Sequence, residues 1–329
     1  MMNLITCDIC GTLNFKENNY CTHCGNKLVL EHVCPVCGES NDDFATHCVK
    51  CKSQINPISI DDFDILFNEF NQHLLANAEV SDEEYGRMLS NIFIKADYVD
   101  VWGKSTRDKL INLANIFTEC RPKARGYERG FIFLGNFISY DDRLADSVQI
   151  ATIIHELAHY FMFNIIETLL CHIFKVMPSS TIQSFVWYFL NLPEFEIMSE
   201  YCAHTVEGRF IPFGYQNYGS FNNLVENSCF DKQTLDVTVK LGNSFANEII
   251  VYLEKYIDED LRNEIKMQYR KDLTPPTNQS ILMETDDCYP LSIKNSLLIN
   301  MLHDVLKEVS INREVIKELE SIKEGIELS

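Results

Sequence analysis

His155 and His159 lie four residues apart and enclose Glu156 in the run Ile153-Ile154-His155-Glu156-Leu157-Ala158-His159-Tyr160. On a helix, positions i and i+4 share a face. Both imidazoles can therefore converge on one metal ion. Glu156 then stands where a carboxylate can take a proton from water activated by that ion. Histidine is scarce, 9 in 329 residues, so the spacing carries information. Ile153, Ile154, Leu157, Phe161 and Ile165 supply an apolar side, and no Pro or Gly interrupts them. That pattern predicts a helix, with Asp146 or Ser147 as its cap. The competing reading is a core helix whose two histidines are merely hydrogen-bonded.

Two histidines do not make a catalytic zinc site. A third protein ligand is needed, with the fourth position left for water. An extension with Gly at 162 and His at 165 is absent, because those positions are Met162 and Ile165. The segment Glu194–Glu207 offers carboxylates instead. Glu200 is favoured, since the small Ala203 lets its helix approach the first closely, and Glu200, Ala203, His204 and Glu207 share a face. Glu196, His204, Glu207 and His172 remain alternatives. If Glu200 is the ligand, His204 lies one turn on, as a hydrogen-bond partner of the site or a proton donor in catalysis. Tyr201, Tyr215 and Tyr218 are further candidate oxyanion donors.

The His155-Glu156-x2-His159 spacing resembles the signature of the zincin metallopeptidases. Glu200-x2-Ala203-His204 resembles the E-x-x-A-(D/N) signature of gluzincins. With Val206, Phe210, Ile211 and Pro212, the segment looks most like the ImmA/IrrE family of regulatory metallopeptidases. In that family this glutamate is a zinc ligand, so the resemblance implies the set His155, His159 and Glu200. Two departures stand out: His204 occupies the family's Asn/Asp position, and an apolar helix, Thr181 to Leu192, is inserted before Glu200. The resemblance covers roughly residues 130 to 215. The aromatic and β-branched run Gly130–Ile138 reads as one strand with Gly135 inside it. By the same resemblance it is the sheet edge that aligns a peptide substrate.

Eight of the 13 cysteines form a repeat. Cys7, Cys10, Cys21 and Cys24 recur 27 positions later as Cys34, Cys37, Cys48 and Cys51. Two C-x2-C knuckles supply four thiolates to one tetrahedral zinc, so residues 1–56 resemble a double zinc ribbon with one structural zinc per copy. Four lysines against six carboxylates in this segment argue for protein contact over nucleic acid. Cys120, Cys171, Cys202, Cys229 and Cys288 are scattered, and the overall usage fits a reducing cytoplasm.

The elements that must position these residues are mostly helical. Asn56-Pro57-Ile58-Ser59 reads as a linker. Helical stripes follow at Phe63–Leu74, at Tyr85–Phe93 behind a Ser81/Glu84 capping box, and at Leu110–Phe117 behind Ser105. After residue 230, a stripe from Val237 to Leu253 precedes a loop at Thr274–Asn278 and two final helices. The net charge of −20 disfavours broad contact with nucleic acid or anionic membrane. No secretory signal is evident, and Asn164, Glu167, His172 and Lys175 interrupt the apolar stretch Phe161–Met177 against a membrane span. The expectation is an α+β, mostly helical chain in three parts: a double ribbon (1–56), a zincin-like domain (57–230) and a helical region (231–329). Its expected activity is that of a cytoplasmic zinc endopeptidase, with one catalytic and two structural zinc ions, acting on a protein or peptide. The alternative is a non-catalytic zinc-ribbon adaptor. The sequence leaves the oligomeric state open.

Overall fold

A computed structural model of the chain describes residues 60–76, 80–93, 103–122, 129–133, 137–275, 285–292 and 296–328. In the cysteine-rich segment it describes residues 4–6, 12–15, 22–23, 32–34, 37, 39–41 and 48–51. Cys7, Cys10, Cys21, Cys24 and most of the Thr274–Asn278 loop lie outside the described residues. The described chain is mostly helical, with two short hairpins and one three-stranded sheet.

The hairpins pair β1 (Leu4–Thr6) with β2 (Leu13–Phe15) and β3 (His32–Val33) with β4 (Ser40–Asn41). Ile5 faces Asn14 and Thr6 faces Leu13; 27 residues on, His32 faces Asn41 and Val33 faces Ser40. The repeat seen in the cysteines thus extends to strand register. In the second copy, Asn41 ties the hairpin to the following knuckle, its Oδ1 accepting from Val49 N at 2.8 Å.

A 3₁₀ turn at Ile60–Asp62 leads into α1 (Phe63–Leu75), α2 (Asp82–Phe93) and α3 (Thr106–Phe117). Ser81 and Ser105 act as the expected caps, accepting from Glu84 N and Asp108 N, each at 3.2 Å. Then come β5 (Glu119–Pro122), β6 (Gly130–Phe133) and β7 (Phe137–Tyr140). They form a sheet in the order β5-β7-β6, parallel between β5 and β7 and antiparallel between β6 and β7. The single strand expected over Gly130–Ile138 is therefore corrected to a hairpin. Phe133 pairs with Phe137, so the chain reverses between them. The aromatic, β-branched composition is the same on both arms and hides the reversal.

The remaining helices are α4 (Asp146–Phe174), α5 (Ser180–Leu190), α6 (Pro193–Phe210), α7 (Gly219–Asn227), α8 (Lys232–Leu253), α9 (Glu259–Asp272), α10 (Leu297–Ile311) and α11 (Arg313–Leu328). Helix α4 carries the His155/His159 pair and is the axis of the molecule. It packs against α1, α2, α3, α5, α6, α8, α9, β6 and β7. It is long and apolar enough to cross a bilayer, but 78% of its most apolar window is buried inside the protein. A helix enclosed on every side must be apolar on every side. Its N-cap is Ala145, not Asp146 or Ser147. A partner from α9 serves the orphan donors instead: Asp272 Oδ2 accepts from Ser147 N at 3.1 Å. At the other end Lys175 turns left-handed at φ 57°.

One continuous apolar core runs from Ile60 to Leu319, so helices α8 to α11 share it with the helices that bear the histidines. Helices α6 and α8 meet at Gly242, where a Cβ would stand 2.7 Å from Met198 O. Only glycine permits that approach.

Within this core Glu167 is buried at 7% exposure, and its Oε1 has no hydrogen-bond partner. Burial pushes its carboxyl up from 4.5 to about 7, against a smaller opposing effect of the hydrogen bond with Gln183. Between those values the folded chain binds the proton that the unfolded chain has released. Stability must therefore fall as pH rises across that window. Glu167→Gln is expected to shrink the loss of stability between pH 5 and pH 8 by about 2–3 kcal/mol. Urea denaturation of both proteins at the two pH values measures this, and parallel pH profiles would refute it.

Candidate functional site

Helices α4 and α6 place the sequence-identified residues together. His155 Nε2 and His159 Nε2 lie 3.1 Å apart. Glu200 Oε2 is 3.4 Å from His155 Nε2, and Glu200 Oε1 is 3.4 Å from His159 Nε2. Zinc bonds of 2.0–2.1 Å at tetrahedral angles separate neighbouring ligand atoms by about 3.3–3.4 Å. The three observed separations, the last two to different oxygens of one carboxylate, are of that size, so the donor set fits a zinc ion. His155, His159 and Glu200 form one group able to hold a metal.

Each histidine is also held from behind. Ser199 Oγ lies 2.7 Å from His159 Nδ1, and Glu207 Oε2 lies 3.4 Å from His155 Nδ1. Such partners fix the ring and its tautomer and direct Nε2 forward. His155, His204 and Glu207 also cluster tightly enough to hold a metal. Using both nitrogens of His155 for metals would require stripping its last ring proton. Glu207 is better placed as the acceptor for that proton.

The electrostatics follow from burial in company. Burial opposes charge on His155, but hydrogen bonds with Glu200 and Glu207 outweigh it and hold the imidazole well above the usual histidine range. Burial would raise Glu200, yet His155 and His159 keep it well below the usual carboxylate range. Burial likewise opposes charge on Glu207, but His155 and His204 bring it down to about 2. His204 goes the other way: burial lowers it, aided by His155, against the pull of Glu207.

These groups line a cleft of about 710 Å³. Glu156, 7% exposed, sits on its wall one turn from Thr152. Beside it is β6, an edge strand of the three-stranded sheet, whose Gly130, Phe131 and Ile132 border the cleft. Gly130 is required there. A Cβ would collide with Thr152 Cγ2 and stand 2.6 Å from Ser139 O and 3.4 Å from Glu156 Oε1. Beyond His159 the wall is apolar: Phe163 from α4, with Trp187 and Leu190 from α5. The helix expected as an insertion over Thr181–Leu192 is α5, and it builds this wall.

The alternative ligands separate. Glu196 lies on the cleft, and burial followed by repulsion from Glu200 raises its pKa. His172 lies 3.8 Å from Glu84, near the end of α4 distant from the motif. His204 borders the cleft, with Nε2 2.6 Å from Ser220 Oγ and Nδ1 3.4 Å from Glu207 Oε2. None of the three candidate oxyanion tyrosines lines the cleft. Tyr215 donates to Leu273 O at 3.4 Å, Tyr218 Oη lies 3.5 Å from Thr205 Oγ1, and Tyr201 is buried among Ile197, Phe221 and Val239. Sequence reasoning missed Ser199, Ser220 and Gly130. The first adjoins Glu200, and the last opens a recognisable strand. Ser220 sits on α7, whose start at Tyr218-Gly219 lacks a side-chain cap and gives little signal.

The second metal-ligating group is Cys34, Cys37, Cys48 and Cys51, which could bind zinc. Cys34 Sγ is 3.5 Å from Cys51 Sγ, and Cys37 Sγ is 3.6 Å from Cys48 Sγ. A tetrahedral thiolate zinc with bonds of 2.3 Å separates sulfurs by about 3.8 Å. Met177, just past the end of α4, packs against this cluster.

Comparison with protein-family models, with curated proteins and with solved structures found no match to this chain. What can be said of the site rests on its own residues.

Metal content tests both groups. Wild type is expected to hold about three zinc ions per chain, one per ribbon and one at the α4–α6 group. Cys34→Ser/Cys48→Ser should lose one, and His155→Ala/His159→Ala a different one. Elemental analysis after dialysis decides. An unchanged count in either variant would dismiss the corresponding site.

Proposed function

We propose that the protein is a zinc-dependent endopeptidase of the zincin type, with His155, His159 and Glu200 as ligands and Glu156 as general base. The observation that carries this reading is the convergence of His155, His159 and Glu200 at separations of the size zinc ligands adopt, beside a cleft on which Glu156 also stands. Zinc bound there would lower the pKa of water toward neutrality and polarise a carbonyl. The chain's own residues do the rest. Glu156 accepts the proton of the attacking water and delivers it to the leaving amine. Edge strand β6 can align an extended peptide by backbone hydrogen bonds, which ask little of its sequence. Phe163, Trp187 and Leu190 offer a surface for an apolar side chain beside the bond to be cut.

A non-catalytic adaptor would be served by a zinc closed with four protein ligands. The α4–α6 group has three, and Glu207 pairs with the far nitrogen of His155. That contrast favours the enzyme. The two cysteine knuckles with four described thiols are the closed kind, suited to holding a small module together.

Glu156→Gln keeps the shape of the side chain and removes the base. It is expected to retain zinc and to lower peptide cleavage by about 10²–10⁴-fold. The check is a quenched-peptide assay beside metal analysis, with contaminating protease excluded. Undiminished cleavage by the variant would sink the mechanism.

A further inference from the structure

We propose that Ser220 is a positioning residue for the ligand Glu200, so that helix α7 belongs to the support of the metal centre. This inference rests on the ligand set proposed above. Ser220 Oγ makes a short hydrogen bond to Glu200 Oε2 and lies 2.6 Å from His204 Nε2. An ionised carboxylate only accepts, so the serine hydroxyl donates to Glu200. Its oxygen then accepts from His204 Nε2–H. The result is a directed chain, His204 to Ser220 to Glu200, that fixes one carboxylate oxygen of the ligand.

The source of this bond sets it apart. His159 is held by Ser199 and His155 by Glu207, both on α6, the helix that also carries Glu200. Ser220 comes from α7, after the turn that follows α6. Helix α7 is seated by Phe221, the next residue, which is fully buried against Ile197, Tyr201 and Val239. Gly219 and Asn223 of the same helix border the cleft. The hydroxyl on Glu200 is therefore present only while α7 is docked. His204, which follows Glu200 by four residues, acts through Ser220 in this arrangement.

The test is zinc affinity of the full-length protein, measured by chelator competition, with thermal unfolding as the control for folding. Ser220→Ala is expected to weaken binding at the α4–α6 group by about 10–100-fold. Ser220→Thr keeps the hydroxyl and should stay within a few-fold of wild type. Phe221→Ala, which touches no ligand, should weaken binding as Ser220→Ala does. In cobalt-substituted protein, the visible spectrum should change in Ser220→Ala and be restored in Ser220→Thr. Wild-type affinity and spectrum in Ser220→Ala would overturn the inference. If His155→Ala/His159→Ala has meanwhile lost its ion, only the role of Ser220 falls. If that double variant keeps every ion, the ligand set falls and this inference with it.

Discussion

The arrangement turns on the partial burial of ionisable groups along a cleft bordered by an apolar core. His155, His159, His204, Glu200 and Glu207 stand on two helices whose other faces are packed with Ile, Leu, Phe and Met. An unpaired charge in such surroundings costs several kcal/mol, and breaking a buried pair leaves its partner stranded. The groups are tolerable only together, as mutual partners or as metal ligands. This fixes how α4 and α6 must sit. Their separation has to bring carboxylate and imidazole within 3.4 Å, which small residues permit. Ala203 is fully buried on α6, and Gly242 lets α8 press on α6 from behind. The C-terminal helices are thus more than an appendage, because α8 helps hold Glu200 where it is.

The sheet answers the same constraint from the other side. Glu156 lies beside β6 at Gly130, where Thr152 and the Ser139 carbonyl leave no room for a side chain. A strand brought this close to a carboxylate, at the edge of a sheet and along a cleft, is shaped for an extended chain to lie beside it. Helix α5 closes the cleft with Trp187 and Leu190, three residues apart and so on one face. The departure that the sequence showed, an apolar insertion before Glu200, acquires a place: it supplies apolar wall where the α4–α6 pair alone would leave the cleft open.

Much of this was legible because chemistry at fixed spacing survives any fold. His155 and His159 had to share a face once the helix was granted, and Glu200 was preferred because Ala203 marks a close helix contact. Ser81 and Ser105 announced their helices through capping, which is local. The failures were non-local. The Gly130–Ile138 run reads as one strand because composition cannot show that Phe133 pairs with Phe137. Asp146 and Ser147 looked like caps because the real acceptor, Asp272, lies 125 residues on. Tyr215 and Tyr218 have their hydroxyls held elsewhere, by Leu273 and Thr205, and Tyr201 is buried beside Phe221. Ser220 was invisible for the same reason: its meaning comes from touching Glu200 and His204 across a turn.

The two candidate metal-binding groups suit opposite uses of similar chemistry. Four thiols from two knuckles converge at 3.5–3.6 Å across a hairpin too small to have a core of its own. There a metal would substitute for the missing hydrophobic burial. The α4–α6 group needs no such help, for it sits in the largest core of the chain. Its histidines and glutamate are already ordered by Ser199, Glu207 and Ser220. The contact of Met177 with the cysteine cluster places the structural group against the end of the helix that carries His155 and His159. The four-cysteine cluster thereby abuts the helix on which the site is built.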